Sequence, residues 1–243
     1  MYPVYLFRKA SKLLMAGAIL TLFFAGIYVA GKSLIEAESL VLQKYQMPVA
    51  KYIQADWEPC IDSLRELYGK NKQLIKAYEL QILLALSHYP ELKEIPIHYY
   101  QEEAFLPLAS RPEPFRMLYS KQNWQYNVII STKSIEAMEP ILVKNLPFEA
   151  QVGIIGHELA HTSYYLDKSV WQMILIGLNY IFPDFRADFE KNTDRRTIAH
   201  GLGWQLLSYA HYARQVMPYE ETSLGSKYYL SPAEIELQIN QTY

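Results

Sequence analysis

The longest apolar run of the chain lies near its N-terminus. From Leu13 to Gly31 the sequence holds no charged residue, and Thr21 interrupts an otherwise aliphatic, small or aromatic pattern. A run of this length can cross a bilayer as a helix, so residues 1–32 are predicted to form a transmembrane anchor. A cleaved signal peptide is the alternative. The length of the run and the imperfect cleavage pattern Val29-Ala30-Gly31 favour the anchor.

Basic residues on both sides of this run bear on its orientation. They are Arg8, Lys9 and Lys12 before the run, and Lys32, Lys44 and Lys51 after it. The second group partly offsets the first, but the immediate flank favours a cytoplasmic N-terminus. We therefore expect a single-pass protein of the cell membrane, with its main body on the extracytoplasmic side.

Helical periodicity dominates the segment that follows the anchor. Apolar residues recur at intervals of three and four positions between Ser33 and Leu92, beginning with Leu34, Ile35 and Leu40–Leu42. The tripeptide His88-Tyr89-Pro90 ends this pattern. Residues 33–92 are thus predicted to be a helical lead-in that packs on the rest of the chain.

The remaining part, residues 93–243, combines strand and helix signals. The strand candidates are Ile95–Tyr99, Phe115–Ser120 and Tyr126–Thr132, and the helix candidates are Pro147–Tyr165, Asp184–Tyr212 and a capped helix after Ser231. The second and third strands could form a hairpin, while the proline-containing stretch Leu106–Pro114 indicates an irregular connection. The predicted fold class is α+β, mainly helical, with a small antiparallel sheet.

Composition narrows the function classes. Hydrophobic residues make up 51% and charged residues 20%, which excludes a disordered chain. Lys and Arg total 23 against 25 Asp and Glu, a net charge of -2, so no basic footprint for nucleic acid is present. Cys60 is the only cysteine, and therefore no intramolecular disulfide can form.

One pentad in the predicted helix after Pro147 carries chemistry. It reads His157-Glu158-Leu159-Ala160-His161, and histidines four positions apart project from the same helical face toward one metal ion. Glu158 lies beside that face, where it can act as a general base. The alternative is a chance surface polar face. The apolar neighbours disfavour it, because burying three unpartnered ionisable groups costs several kcal/mol.

A catalytic zinc ion needs a third protein ligand. Downstream, Glu190 and Asp194 lie four positions apart on one predicted helical face. Glu190 can complete a two-histidine, one-glutamate site, and Asp194 can accept the free ring N–H of a ligating histidine, His157. An exposed acidic pattern on a charged helix is the alternative for this pair.

These two motifs resemble the gluzincin class of zinc metallopeptidases, in which an HExxH helix is followed by a helix with a Glu-x-x-x-Asp pattern. The matching residues are His157–His161 and Glu190–Asp194. The resemblance implies a zincin-like catalytic domain over residues 93–243, bound Zn²⁺, and hydrolysis of peptides by a water molecule that Glu158 deprotonates. A metzincin is disfavoured, since Thr162–Ser169 contains neither the glycine nor the third histidine of that class.

Two further parts of a peptidase site stay open at this level. His200 is a candidate donor for the oxyanion, and so are His211, Tyr164, Arg195 and Arg196, whereas His88 and His98 are interpreted as structural. The resemblance also implies a substrate-binding edge strand before the metal helix, and Tyr126–Ser131 occupies that place. An ordinary buried strand is the other interpretation of Tyr126–Ser131.

An apolar stretch, Val170–Phe182, lies between the two motifs. It is too short to span a membrane, so it is predicted to be a core helix, with an interfacial or flap segment as the alternative.

The sequence therefore predicts a membrane-anchored zinc metallopeptidase that acts on peptide or protein substrates. The competing hypotheses are a non-catalytic zinc-binding envelope module that holds a partner protein, and a plain helical scaffold without metal.

Overall fold

Helices make up most of the described chain, and they accompany one small sheet. The computed structural model describes residues 3–39, 47–217 and 227–243, and it confirms the α+β, mainly helical fold class. The helices are α1 Pro3–Ser39, α2 Gln54–Trp57, α3 Ile61–Tyr68, α4 Glu79–Leu86, α5 Phe148–Tyr165, α6 Val170–Asn179, α7 Pro183–Thr197, α8 Gly203–Val216 and α9 Pro232–Thr242. The predictions that concern Leu40–Leu42 and Lys44 lie outside the described residues. The domain boundaries at residues 32 and 92 stay predictions.

The sheet is mixed, whereas the sequence pattern predicted an antiparallel one. Its strands are β1 Lys72–Gln73, β2 Ile97–Glu103, β3 Leu108–Pro112 and β4 Tyr126–Lys133, in the order β1-β2-β4-β3. Strand β2 is parallel to β1 and to β4, and β3 is antiparallel to β4.

The predicted hairpin partner of β4 was wrong. Phe115–Ser120 is no strand and contains a 3₁₀ turn, while β3 comes from the proline-containing stretch expected to be irregular. Strand β3 tolerates Pro112 because it lies at the edge of the sheet, where one side of the backbone needs no ladder hydrogen bond.

Helix α5 packs against α4, α7, α8 and β3, which explains its apolar character. Every residue of Leu80–Leu86 in α4 is buried, and the main core cluster joins α4 and α5 to the sheet through residues such as Val128 and Ile155. A Cβ atom on Gly153 would collide with the Gln205 carbonyl of α8. Glycine at this position therefore permits the close approach of α5 and α8.

The helix predicted over Asp184–Tyr212 is divided into α7 and α8. A π-helical turn over Ile198–Leu202 separates them, and Gly201 within it has a φ of 89°. A side chain there would be strained, and a Cβ atom would also come within 2.8 Å of the Met47 carbonyl. Gly201 thus serves the turn.

Helix α1 contains the predicted membrane span. Within the described residues, one helical segment, Gly17–Ile35, is long and apolar enough to cross a membrane, a test that a signal sequence also passes. The C-terminal end of α1 packs on the body of the protein. Ile35 is buried with Phe185 and Phe189 of α7, and Lys32 forms an ion pair with Asp188.

The apolar stretch between the motifs forms α6, which begins at a capping box of Ser169 and Gln172. One face of α6 is buried, and the other is exposed. The prediction of a core helix therefore holds only for the buried face of α6.

His88 is buried, as its structural interpretation requires, and the surrounding bonds suit its neutral form. Its Nδ1–H donates to the His200 carbonyl at 2.6 Å, and its Nε2 accepts from the Tyr52 hydroxyl at 2.7 Å. Burial lowers the pKa of His88 to about 4 from an ordinary value of 6.5.

We expect His88 to make folding sensitive to acid. The unfolded chain binds a proton at this residue below about pH 6.5 and the folded chain only below about pH 4, so stability falls as the pH drops through that window, by about 3 kcal/mol. His88→Gln keeps one donor and one acceptor but does not titrate. Denaturant unfolding at pH 7.5 and pH 4 should therefore show a smaller loss for the variant. Parallel losses in both proteins would contradict the expectation.

Candidate metal centre

Helix α5 carries the His-Glu-x-x-His pentad in the interior of the protein. His157, Glu158 and His161 are 3%, 6% and 7% exposed, and their ligand atoms lie within 4.8 Å of one another. This burial excludes the chance surface face. The structure confirms a buried group of residues that can bind a metal ion.

Helix α7 brings Glu190 to this group. Its Oε2 lies 3.2 Å from His157 Nε2 and 3.4 Å from His161 Nε2. A tetrahedral zinc ion with ligands at ~2.0–2.1 Å holds its ligand atoms ~3.3–3.4 Å apart, the edge of the tetrahedron. Glu190 Oε2 therefore lies at the separation from each histidine nitrogen that a shared tetrahedral ion would require.

Hydrogen bonds at the far side of each ring determine which nitrogen faces Glu190. His157 Nδ1–H donates to Asp194 Oδ1 at 2.9 Å. His161 Nδ1–H donates to the Thr193 hydroxyl at 3.3 Å, since that hydroxyl itself donates to a backbone carbonyl. With Nδ1 of each ring bonded in this way, Nε2 is the nitrogen of each ring that can give an electron pair to a metal ion when the ion displaces the Nε2 proton.

Asp194 lies where the sequence predicted it, beside His157. Its second oxygen, Oδ2, accepts the backbone N–H of Leu230 at 2.8 Å. Glu190 and Asp194 are 3% and 2% exposed, so the alternative of an exposed acidic pair on a charged helix is excluded. A carboxylate held at both oxygens orients the ring and makes its Nε2 a stronger donor.

The centre favours a cation. Two imidazole nitrogens and one carboxylate oxygen converge at distances at which their electron pairs repel unless a proton or a metal ion lies between them. Burial alone raises the pKa of Glu190, but the neighbouring histidines lower it far below its ordinary range. Burial likewise lowers the pKa of His157, yet Asp194 and Glu190 together raise it well above 6.5. The donor set fits a divalent metal ion.

Glu158 lies on the strand side of the centre. Burial raises the pKa of its carboxyl group, which also accepts a hydrogen bond from the backbone of Ser110 in β3. The Ser110 hydroxyl is 2.7 Å from that of Thr162, which ties β3 to α5 next to Glu158. A carboxyl group with a raised pKa beside a metal site is suited to exchanging protons near neutral pH.

A cavity of about 750 Å³ opens onto these residues. Its walls include parts of β3 and the residues before it, of α5, α6, α7 and α8, and Tyr228–Leu230. They are largely apolar, with Leu106, Ile154 and Met173 as examples. Such a cavity, with a few convergent polar groups, is typical of a binding site.

Strand β3, and not β4, borders the cavity. Strand β4 lies between β2 and β3, and Tyr126–Ser131 is buried, so the ordinary buried strand was the right interpretation. Among the described residues β3 pairs with β4 alone, and on its other side the Ser110 backbone N–H donates to Glu158.

His200 is not among the cavity-lining residues. Its Nδ1 lies 2.8 Å from the Arg196 carbonyl, its Nε2 lies 2.9 Å from Glu91, and its ring stacks on Tyr89 at 4.1 Å between ring centres. The structure thus places this candidate oxyanion donor in a separate buried network. The other candidates also lie outside the lining, namely His211, Tyr164, Arg195 and Arg196.

Polar side chains that line the cavity but were not identified from the sequence include Tyr180, Arg186 and Tyr229. The Tyr180 hydroxyl donates to Glu190 Oε1 at 2.5 Å, Arg186 lies over the Tyr180 ring, and the Tyr229 ring is 5.8 Å from that of His157. Arg186 precedes Glu190 by one helical turn, a spacing that could have revealed it. No local pattern links Tyr180 or Tyr229 to the pentad.

Comparison with known proteins adds no assignment. No protein-family model, curated protein or solved structure matches this chain.

Proposed function

We propose that the protein is a membrane-anchored zinc metallopeptidase of the gluzincin type, with Glu158 as general base. One observation carries the proposal. Glu190 Oε2 lies at tetrahedral-edge distances from both His157 Nε2 and His161 Nε2, and the Glu158 carboxyl group lies beside the two histidines. Three protein ligands leave one position open, as in catalytic zinc sites.

His157, His161 and Glu190 would hold the zinc ion. When bound, zinc lowers the pKa of a water molecule and polarises the carbonyl group of the substrate. Glu158 takes one proton from the water as its oxygen bonds to the carbonyl carbon. Glu158 then gives the proton to the amide nitrogen, and the C–N bond breaks. The raised pKa of Glu158 supports both transfers, because it brings the carboxyl group closer to neutral pH.

The free edge of β3 would bind the substrate backbone. Within the described part of the chain, Leu108–Pro112 pairs with β4 on one side only, so an extended peptide can add to the other side through the main-chain groups that Glu158 does not occupy. The largely apolar cavity favours apolar substrate side chains. Arg186 and Tyr229 replace His200 as candidate donors to the oxyanion, because they line the same cavity as the metal centre.

An uncleaved anchor is supported by the packing of α1. The Asn179 side chain of α6 donates to the Ile27 carbonyl at 3.0 Å, and Tyr28 and Gly31 contact Phe182 and Asn179. Cleavage next to Gly31 would remove these contacts, which a discarded signal peptide would not make. The basic N-terminal flank supports a body on the extracytoplasmic side.

The proposal is tested on the full chain, purified in detergent. We expect about one zinc ion per chain by elemental analysis, and cleavage of a mixed peptide library detected by mass spectrometry. A chelator should abolish cleavage, and added zinc should restore it. If the purified protein contained no metal and its melting temperature did not change on addition of zinc, the proposed zinc site would be contradicted. Bound zinc without any turnover would instead favour the non-catalytic module that holds a partner.

A further inference from the structure

Helix α6 exposes an apolar face. Trp171 is 80% exposed, Ile174 43% and Leu178 49%, and Ile181 just after the helix is 70% exposed. Their spacing of three and four positions puts them on one side of the helix. Gly177 is the other exposed position between Val170 and Asn179, so this α6 face, defined as Trp171, Ile174, Leu178 and Ile181, carries no polar side chain.

The opposite side of α6 forms part of the cavity wall. Met173, Ile176 and Tyr180 line the cavity that contains the metal centre. Helix α6 therefore lies between the cavity, which its inner side lines, and the surface of the protein, where the α6 face is exposed. Burial of the inner side accounts for Met173 and Ile176 but leaves the apolar α6 face unexplained.

Contacts with α1 connect the α6 face to the predicted membrane span. The side chain of Asn179 donates to the Ile27 carbonyl, and a Cβ atom on Gly31 would collide with Asn179. Helix α1 is itself apolar and exposed before this point, at residues that include Ile19, Leu20, Leu22, Phe23 and Val29. The exposed surfaces of the two helices are thus adjoining apolar areas.

The depth of this contact fits an interfacial helix. Lys32, paired with Asp188, ends the apolar run and marks its aqueous side. Ile27 precedes Lys32 by five residues, or about 7.5 Å along a helix. Helices that lie in a membrane interface bury their apolar face about 5–10 Å. Trp171 also belongs to the residue types enriched at this level.

We propose that the α6 face is a membrane-binding surface, which lies in the interface of the same lipid bilayer that α1 crosses. The metal-centre cavity would then be separated from the lipid headgroups by one helix, about 10 Å in diameter. Resting on the proposed peptidase activity, this position selects peptide segments that lie at the membrane surface or emerge from it.

The proposal is tested by lipid quenching of a fluorophore on the full chain. In a Cys60→Ser background, Leu178→Cys is labelled with an environment-sensitive dye and reconstituted into vesicles of phosphatidylethanolamine and phosphatidylglycerol that contain brominated acyl chains. Leu237→Cys is the matched control, because Leu237 is an equally apolar residue, 58% exposed, on α9. Leu22→Cys in α1 reports insertion of the anchor.

We expect about a two-fold loss of fluorescence at positions 178 and 22 and none at position 237, because only the first two lie within reach of the acyl chains. Quenching at position 22 without quenching at 178 overturns the proposal. So does the absence of quenching at both, since α1 must then lie outside the bilayer. Energy transfer between labelled chains at position 178, without lipid quenching, would assign the α6 face to a second copy of the chain instead.

A second measurement separates docking from catalysis. Leu178→Glu should lower cleavage of a vesicle-tethered peptide at least about ten-fold and leave cleavage of a soluble peptide unchanged, because Leu178 is outside the cavity lining. An equal effect on both substrates would overturn the proposed selection of membrane-near peptides. Quenching at position 178 in a chain that cleaves no peptide would support the membrane-binding surface and contradict the proposed peptidase activity.

Discussion

Replacement of Glu158 by glutamine is expected to abolish peptide hydrolysis while the metal stays bound. The amide has nearly the same shape as the carboxyl group but cannot take a proton from water, and general base catalysis contributes about 10²–10⁴-fold to the rate. Because His157, His161 and Glu190 supply the proposed ligands, metal content should be unchanged. The check is kcat/KM together with elemental analysis of the same preparation.

Glu149→Gln is the matched control for this experiment. Glu149 lies on the same helix, α5, and accepts hydrogen bonds from Tyr52 and Gln205, but it is outside the cavity lining. The control should therefore retain metal and most of its activity. A Glu158→Gln protein that kept more than about a tenth of wild-type kcat/KM would rule out Glu158 as the general base.

Replacement of His161 by alanine is expected to remove the metal. The change deletes one of three converging donors and leaves Glu190 and His157 unable to complete a tetrahedral set. Loss of a group that only orients a ligand typically weakens metal binding 10–100-fold, so loss of the ligand itself should exceed about 100-fold. Activity should disappear together with the metal, and the rise in melting temperature on addition of zinc should be lost.

Two further variants serve as comparisons for His161→Ala. Asp194→Asn should weaken metal binding only about 10–100-fold, because it alters the hydrogen bond to His157 Nδ1 and no ligand. His98→Ala removes a histidine from β2, away from the cavity, and should leave binding unchanged. If zinc content were the same in His161→Ala and in wild type, the metal centre would have to lie elsewhere.

Helical periodicity allowed much of the metal centre to be predicted. His157 and His161 share a face because a helix repeats every 3.6 residues, and the same repeat placed Glu190 one turn from Asp194. The structure brings all four side chains together, and Asp194 accepts the hydrogen bond of the His157 ring, as predicted. The helical repeat explains the relations within each helix, whereas the approach of α7 to α5 was implied by the resemblance to gluzincins.

Strand pairing could not be predicted in the same way. Phe115–Ser120 is rich in apolar and aromatic residues and shortly precedes β4 in sequence, yet β3 takes the place beside β4. An edge strand buries little and tolerates prolines, so its own sequence resembles a loop. The position of His200 was equally unpredictable from local spacing. His200 lies in the π-helical turn after α7, and its separation from Asp194 along the chain does not reveal that turn.

The sequence by itself thus determined the apolar N-terminal helix, the mainly helical fold class and the His-Glu-x-x-His pentad that could bind a metal ion, all of which depend on residue type and short-range spacing. Only the tertiary structure decided which strand borders the cavity, that Tyr180, Arg186 and Tyr229 line it, and that α6 buries one face and exposes the other. Each of these depends on contacts between segments distant in the chain, where burial, and not local periodicity, determines what a side chain meets.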